Sequence, residues 1–381
     1  MKFGLAHVVF GLACLGSAPA LADDAPKALT FSATATAEVW SNLKGGVETG
    51  TVGLTMADAT LALDGTAFGH AGFSGELSMV ATNGNSMSAM IGDLQTASNI
   101  ENDGALHLYQ AWVRQVIGED TAVKVGILDL NADFDANDTA SLFINSAHGV
   151  GPDISGSGPA GAPVWPLGTA GIVAQTKLRP DLTVQAGVFN GVPRDQDHPH
   201  AFAAIGHNRD DGVLSIGQAD WIFAKDVRVA VGVWHNSAKL PALDPDTTAM
   251  VSGQTGLYGV IEGAIPGLEK TRGWIRLGGV EPKASTLSAY FGAGLVRQGL
   301  IPGRPDDLIG ISVARAQLSK GARRSDENLG SAETAIELTY AVQINEHLAI
   351  QPDLQYIIHP GGDRTLDDAL VIGVRLAAQL P

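Results

Sequence analysis

The sequence predicts an all-β chain, a transmembrane antiparallel β-barrel of about sixteen strands with a long inward-folding loop. Three observations predict it. Apolar and polar residues alternate with period two in segments of about ten to thirteen residues, which places the two sets on opposite faces of a strand. The connections between those segments alternate between short and long, the habit of barrels with short periplasmic turns and longer outer loops. No segment after the N-terminus approaches the roughly twenty apolar residues that a membrane helix needs.

The chain opens Met1-Lys2-Phe3, continues apolar and small from Gly4 to Gly16, and reaches the small-x-small tripeptide Ala20-Leu21-Ala22. This reads as an export signal over residues 1–22, removed to leave a barrel domain over 23–381, because the apolar run is too short to span a bilayer. The sole cysteine, Cys14, falls within that signal. Gly11 stands where a lipid-attachment signal wants Leu, so lipoprotein anchoring is not expected. Without cysteine the mature chain has neither a disulfide framework nor a thiolate site. The 40 acidic against 24 basic side chains, a formal net charge of −16, argue against nucleic acid as a partner.

The alternation is clearest at four places. Phe31, Ala33, Ala35, Ala37 and Val39 oppose Ser32, Thr34, Thr36 and Glu38; Val227, Val229, Val231 and Val233 oppose Arg228, Ala230 and Gly232. Thr334, Ile336, Leu338, Tyr340, Val342 and Ile344 oppose Glu333, Ala335, Glu337, Thr339 and Gln343; Leu370, Ile372, Val374, Leu376 and Leu380 oppose Gly373, Arg375 and Gln379. Strand starts are expected near Phe31, Thr51, His70, Ala105, Thr121, Ala170, Leu182, Gly212, Asp226, Gly253, Thr271, Leu287, Asp306, Ser331, Leu348 and Asp368. The long connections are 81–104, 132–169, 192–211 and 237–252. A soluble β-sandwich also gives alternating strands, but its strands are shorter and a chain of this length would show linkers or domain-sized repeats.

Facing the apolar set to lipid leaves a polar interior. Lys124, Arg228, Arg276, Arg375, Glu337, Asp353, Gln351 and Gln355 are the candidate pore-lining and solute-contacting residues; Lys177, Glu38, Glu76, Glu333, Gln175, Gln185, His359, Trp274 and Tyr290 share their parity. Any wet barrel interior must be polar, so the informative feature is the set. Guanidinium donors and carboxylate acceptors together can hydrogen-bond hydroxyls from both sides, and an aromatic face suits the apolar face of a sugar ring. Small neutral sugars are therefore the expected solutes, with a general porin as the runner-up. An Arg placed at Gly232, on the inward face, is expected to be tolerated better than one at Val229 or Leu338 on the lipid face.

The connection 132–169 is too long for a plain crossover and holds a predicted short helix over 138–145. Folded inward, it would narrow a wide barrel. Its candidate constriction residues, with those just before it, are Asp129, Asn131, Asp133, Asp135, Phe143 and Asn145. The run from Asp129 to Asp135 begins like a calcium loop, but Phe134 replaces the turn glycine and Ala140 the closing Glu, so no metal is assigned. No cofactor is assigned either. His107, His235 and His359 lack a nucleophile elbow or a zinc-binding His pair, which disfavours a hydrolase and leaves no catalytic residue. The partners expected are outer-membrane lipid and the barrel-assembly machinery, with the chain a homotrimer or a monomer.

The segment from Gln351 through Asp353, Gln355, Tyr356 and His359 to Pro360-Gly361-Gly362 resembles a near-C-terminal signature of the carbohydrate-selective porin (OprB) family. Val125-Gly126-Ile127-Leu128-Asp129-Leu130-Asn131 through Phe134, then Phe143-Ile144-Asn145-Ser146 and Gly149, is similar to a second family segment, and Gly187 to Gly191 to a third. His359 departs from the Asn usual before Pro-Gly-Gly, and the end Gln379-Leu380-Pro381 lacks the aromatic terminus common in such barrels. The resemblance implies a sixteen-stranded outer-membrane barrel that facilitates diffusion of sugars such as glucose.

Overall fold

The computed structural model describes residues 27–193, 198, 200–203, 211–224 and 226–380; the segment read as an export signal lies outside them. Sixteen strands follow in chain order: β1 Leu29–Lys44, β2 Gly50–Asp64, β3 Phe73–Thr82, β4 Leu106–Ile117, β5 Thr121–Leu128, β6 Thr169–Arg179, β7 Leu182–Asn190, β8 Val213–Ala224, β9 Val227–Pro241, β10 Met250–Ala264, β11 Thr271–Val280, β12 Leu287–Gln298, β13 Leu308–Leu318, β14 Ala332–Asn345, β15 Leu348–Ile358 and β16 Ala369–Leu380. Each pairs antiparallel with its sequence neighbours, and β1 pairs with β16 to close the barrel. Closure leaves no unpaired sheet edge, as a bilayer without water requires.

The two faces divide as period two dictates. Phe31, Val39, Val231, Val233, Leu338, Ile372, Val374 and Leu376 are exposed on the outer face, while Glu38, Glu333, Glu337, Arg375 and Ala230 are buried on the inner one. The outer face carries aromatics near its short-turn end: Trp221 and Phe223 meet edge to face at 5.0 Å, and the Trp221 indole N–H donates to Asp181 in the β6–β7 turn at 2.9 Å. An amphipathic ring at that level is the aromatic girdle of a membrane barrel.

Observed strand starts fall close to the expected ones, and three expectations need correction. The connection over 237–252 is only 242–249, because β9 runs on to Pro241 and β10 begins at Met250. There Ser237 and Lys239 face out while Ala238 and Leu240 are buried inside, reversing the pattern that marks a lipid-facing strand. The helix expected over 138–145 is a single 3-10 turn, Ala140–Leu142. Its preceding N–H groups, of Asp138 and Thr139, donate to Glu262 on β10 instead of entering a helical ladder. Gly232 does face inward, but an added Cβ would lie 2.2 Å from the Tyr258 ring, so even alanine has no room.

Candidate functional site

The inner face is built by strands and occupied by two long connections. Residues 129–168 run across the inner wall and hydrogen-bond to side chains of β8 to β15. Asp135 N–H donates to Gln218 (2.9 Å), Arg228 donates to Ala136 O (2.8 Å), and Thr139 N–H donates to Glu262 (2.8 Å). Further on, Gln351 donates to Leu142 O (2.8 Å), Ile144 and Asn145 N–H donate to Glu337 (2.6 and 3.1 Å), and Tyr290 OH donates to Ala147 O (2.8 Å). Carboxylates placed opposite runs of backbone N–H groups make charge-assisted bonds in a dry setting, the strongest class available to a loop without a ladder of its own.

The firmest attachment is ionic. Arg276 on β11 donates to Asp135 (2.9 to 3.1 Å) and to Asp153 (2.5 and 3.2 Å), and all three side chains are buried. Gly151 lies against the guanidinium: a Cβ there would sit 2.0 Å from Cζ, so only glycine lets the loop backbone approach so closely. Burial pushes the Asp135 carboxyl above its usual range and Arg276 opposes that rise. Desolvation is thus the larger effect on Asp135 even with a bidentate partner.

His148 hydrogen-bonds Ser312 on β13 at 2.8 Å through Nε2, and that nitrogen lies 3.6 Å from Glu337. Burial lowers its pKa to about 3, so the ring is neutral and the contact with Glu337 is not an ion pair. Its ring stands 5.1 Å from Phe143 and 5.2 Å from Trp274, forming an aromatic step under the loop.

The connection over 83–105, to which the sequence reading gave no role, is the second occupant. Ser98 donates to Glu38 (2.6 Å), which also takes the Trp40 indole N–H and pairs with Arg375; Arg375 in turn reaches Asn99. Gln355 donates to Ala97 O (2.7 Å) and accepts from Asn145, so it joins both connections. Leu94 and Gln95 N–H donate to Glu333 (2.7 and 3.0 Å).

Beside Glu333, Asp93 is pushed up to about 8, by burial first and then by the charges of Glu333 and Glu101. A raised carboxyl favours the attached loop while it is protonated. That contribution is full below about pH 4 and is lost as pH rises through about 8. Limited proteolysis should therefore cut residues 83–105 faster at about pH 10 than at about pH 6, and Asp93→Asn should remove the difference. Equal cutting of the wild type at both pH values would show that Asp93 does not set the attachment.

The remaining candidates, Asp353 on β15 apart, fall at or just before the start of the 129–168 connection. Lys124 pairs with Asp133 and lies 5.3 Å over the Trp112 ring. Asp129 accepts from Tyr109 OH (2.5 Å) and Asn131 N–H (2.8 Å), and burial raises it to about 6. Asn131 donates to Phe134 O (3.1 Å). The carboxylates of the calcium-like run thus diverge, Asp133 to Lys124 and Asp135 to Arg276. Asp353 is buried beside Gln355 (3.1 Å).

The chain matches the model of the carbohydrate-selective porin, OprB family, over residues 56–380. It belongs to that family. Porin B of Pseudomonas aeruginosa is 22% identical over 250 residues, which is 56% of this chain and 55% of Porin B, so the match spans about half of that relative. A high-pH structure of Pseudomonas putida OprB is 20% identical, with a TM-score of 0.82 over 93% of this chain and 94% of that one. The outer membrane channel DcaP of Acinetobacter baumannii aligns at 6% identity and a TM-score of 0.59 over 92% and 97%. At these identities the structures speak for the fold alone, a closed sixteen-stranded antiparallel barrel; the family match is what indicates the bacterial outer membrane.

In this OprB-family barrel most residues expected to meet solute are instead committed to the loops. Arg276, Arg375, Glu337 and Gln355 are buried, each bonded to residues of one or both connections. A solute finds no open surface on them. Arg228 keeps part of its surface, 23% of the side chain, between Asp220 and Glu262. His359 lies outside the wall altogether: β15 ends at Ile358, and His359 is exposed with φ 51° at the turn into Pro360-Gly361-Gly362. Glu262, Gln218 and Asp153 were missed. Glu262 alternates correctly with Tyr258 and Val260, but both faces of β10 are apolar around it, so parity alone gave no contrast.

Proposed function

We propose that this porin carries small neutral sugars across the outer membrane by passive diffusion. The carrying observation is the family match over residues 56–380 on a chain whose closed barrel has an apolar outside and an inner face of mixed donors and acceptors. The connection over 129–168, held to the wall by Arg276, Glu337 and Glu262, acts as the constriction, and the clamp residues set its position. Residues 1–22 act as the export signal that delivers the chain to the assembly machinery, and the barrel works as a monomer or a homotrimer.

A channel that binds its solute must bind it weakly, since a tightly held sugar would not leave. In planar bilayers, sugars should therefore reduce ion current at half-block concentrations of millimolar order or above, about −4 kcal/mol or weaker. A current that falls only as added solute raises viscosity, equally for every sugar, would mark a general porin.

A further inference from the structure

The two connections do not occupy the inner wall evenly. On β9 to β15 the buried zone reaches down to Glu262, Trp274, Val296 and Gln351, close to the short-turn ends of their strands. On β2 to β4 it stops higher, and Asp58, Glu76 and Arg114 face inward half-exposed. Glu76 sits across from Trp112, and Arg114 across from Ser74 on one side and Lys124 on the other. Lys124 is taken by Asp133, and Glu76 accepts from Gln110 at 3.3 Å. Among the described residues Arg114 makes no hydrogen bond or ion pair.

A half-buried guanidinium without a partner contrasts with Arg276 and Arg375, which are buried and bound to carboxylates. Its five N–H groups remain available, two positions along the same face from the level of a carboxylate acceptor. Resting on the sugar reading above, we propose that the solute path runs along the β2–β4 wall and that Arg114 and Glu76 are its specificity pair. The guanidinium fork donates to vicinal hydroxyls and the carboxylate accepts from them, so a hydroxyl-rich neutral solute exchanges its water for both. An anion would be drawn to Arg114 and repelled by Glu76 and Asp58, and a cation the reverse, which favours neutral cargo.

Single-channel recording in planar bilayers tests the pair. Arg114→Ala should raise the sugar concentration for half block by about tenfold or more, the loss of a charge-assisted hydrogen bond, and shift the reversal potential toward cations. Arg114→Lys should keep the reversal potential while losing block, because an ammonium lacks the planar fork. Glu76→Gln should shift selectivity toward anions. The only cysteine of the sequence is Cys14, so Ser74→Cys gives a gentler probe, and a charged thiol reagent there should cut conductance. Wild-type block and reversal potential in both Arg114→Ala and Glu76→Gln would overturn the proposal, as would labelling of Ser74→Cys without any change in current. A wild-type channel that no sugar blocks would overturn the sugar reading itself and the specificity pair with it.

Discussion

Arg276→Ala should raise single-channel conductance at neutral pH, and part of the rise should disappear in acid. The side chain is 4% exposed and supplies, among the described residues, the only cation paired with two buried carboxylates, Asp135 and Asp153. Removing one partner of a buried ion group leaves uncompensated charge, which costs about 3–5 kcal/mol in such settings. The barrel itself does not depend on this group, since its ladders close through all sixteen strands. The cost falls on the attachment of 129–168, and the loop should leave the wall and widen the path. Acid then has a defined direction. Asp135 is already held above the usual carboxyl range by burial, so without Arg276 it protonates as pH falls, and a neutral carboxyl tolerates burial. Arg276→Met combined with Asp135→Asn and Asp153→Asn, which removes all three charges together, should restore the wild-type current at every pH. Conductance of Arg276→Ala equal to wild type throughout would mean that the loop does not narrow the path.

How far the sequence could be read follows from which distances each signal spans. Strand existence and facing are local: Val39, Val231 and Leu338 were placed outward, and Glu38, Glu337 and Arg375 inward, by period two alone, since one residue's shift would reverse every side chain. The pattern failed where the physics behind it stops. Above the lipid, Ser237 and Lys239 on β9 no longer need to be apolar, so a strand looked like a loop. Past Ile358 the chain turns at Pro360, and His359 kept its parity on paper only.

The site was harder to read because its contacts are distant in sequence. Asp135 and Arg276 are separated by 141 positions, and Ser98 and Glu38 belong to a loop and a strand that nothing in the sequence pairs. Parity gives facing but neither depth nor cover, so Arg276, buried under a loop, and Arg114, half-exposed, carry the same sequence signature. The carboxylates of the wall gave no sign that they would accept backbone N–H groups, because any loop peptide can supply those donors.

A charge on the outer face should be the most damaging change of all to assembly. Leu338 is 44% exposed in the middle of β14 and points to lipid, where an arginine near the midplane of a membrane barrel costs on the order of 2 to 4 kcal/mol. Leu338→Arg should therefore lower the heat-modifiable folded fraction in outer membranes several-fold, and Val229→Arg, which sits across from Trp221 at the level of the girdle, should lower it less. Gly232 cannot serve as the inward comparison, because the Tyr258 ring fills the space a side chain would need and Tyr258 OH is bound to Gln218, itself an anchor of Asp135. Gly232→Arg should fail by overpacking, a cost of about 1–3 kcal/mol or more, and by freeing the loop. Gln175 on β6 is the fair control. It faces inward, is half-exposed, and makes only a long 3.4 Å bond to Gln185, so a charged head there can remain in water. Gln175→Arg should assemble close to wild type and shift selectivity toward anions. Equal loss of folded barrel in Leu338→Arg and Gln175→Arg would contradict the assignment of the two faces.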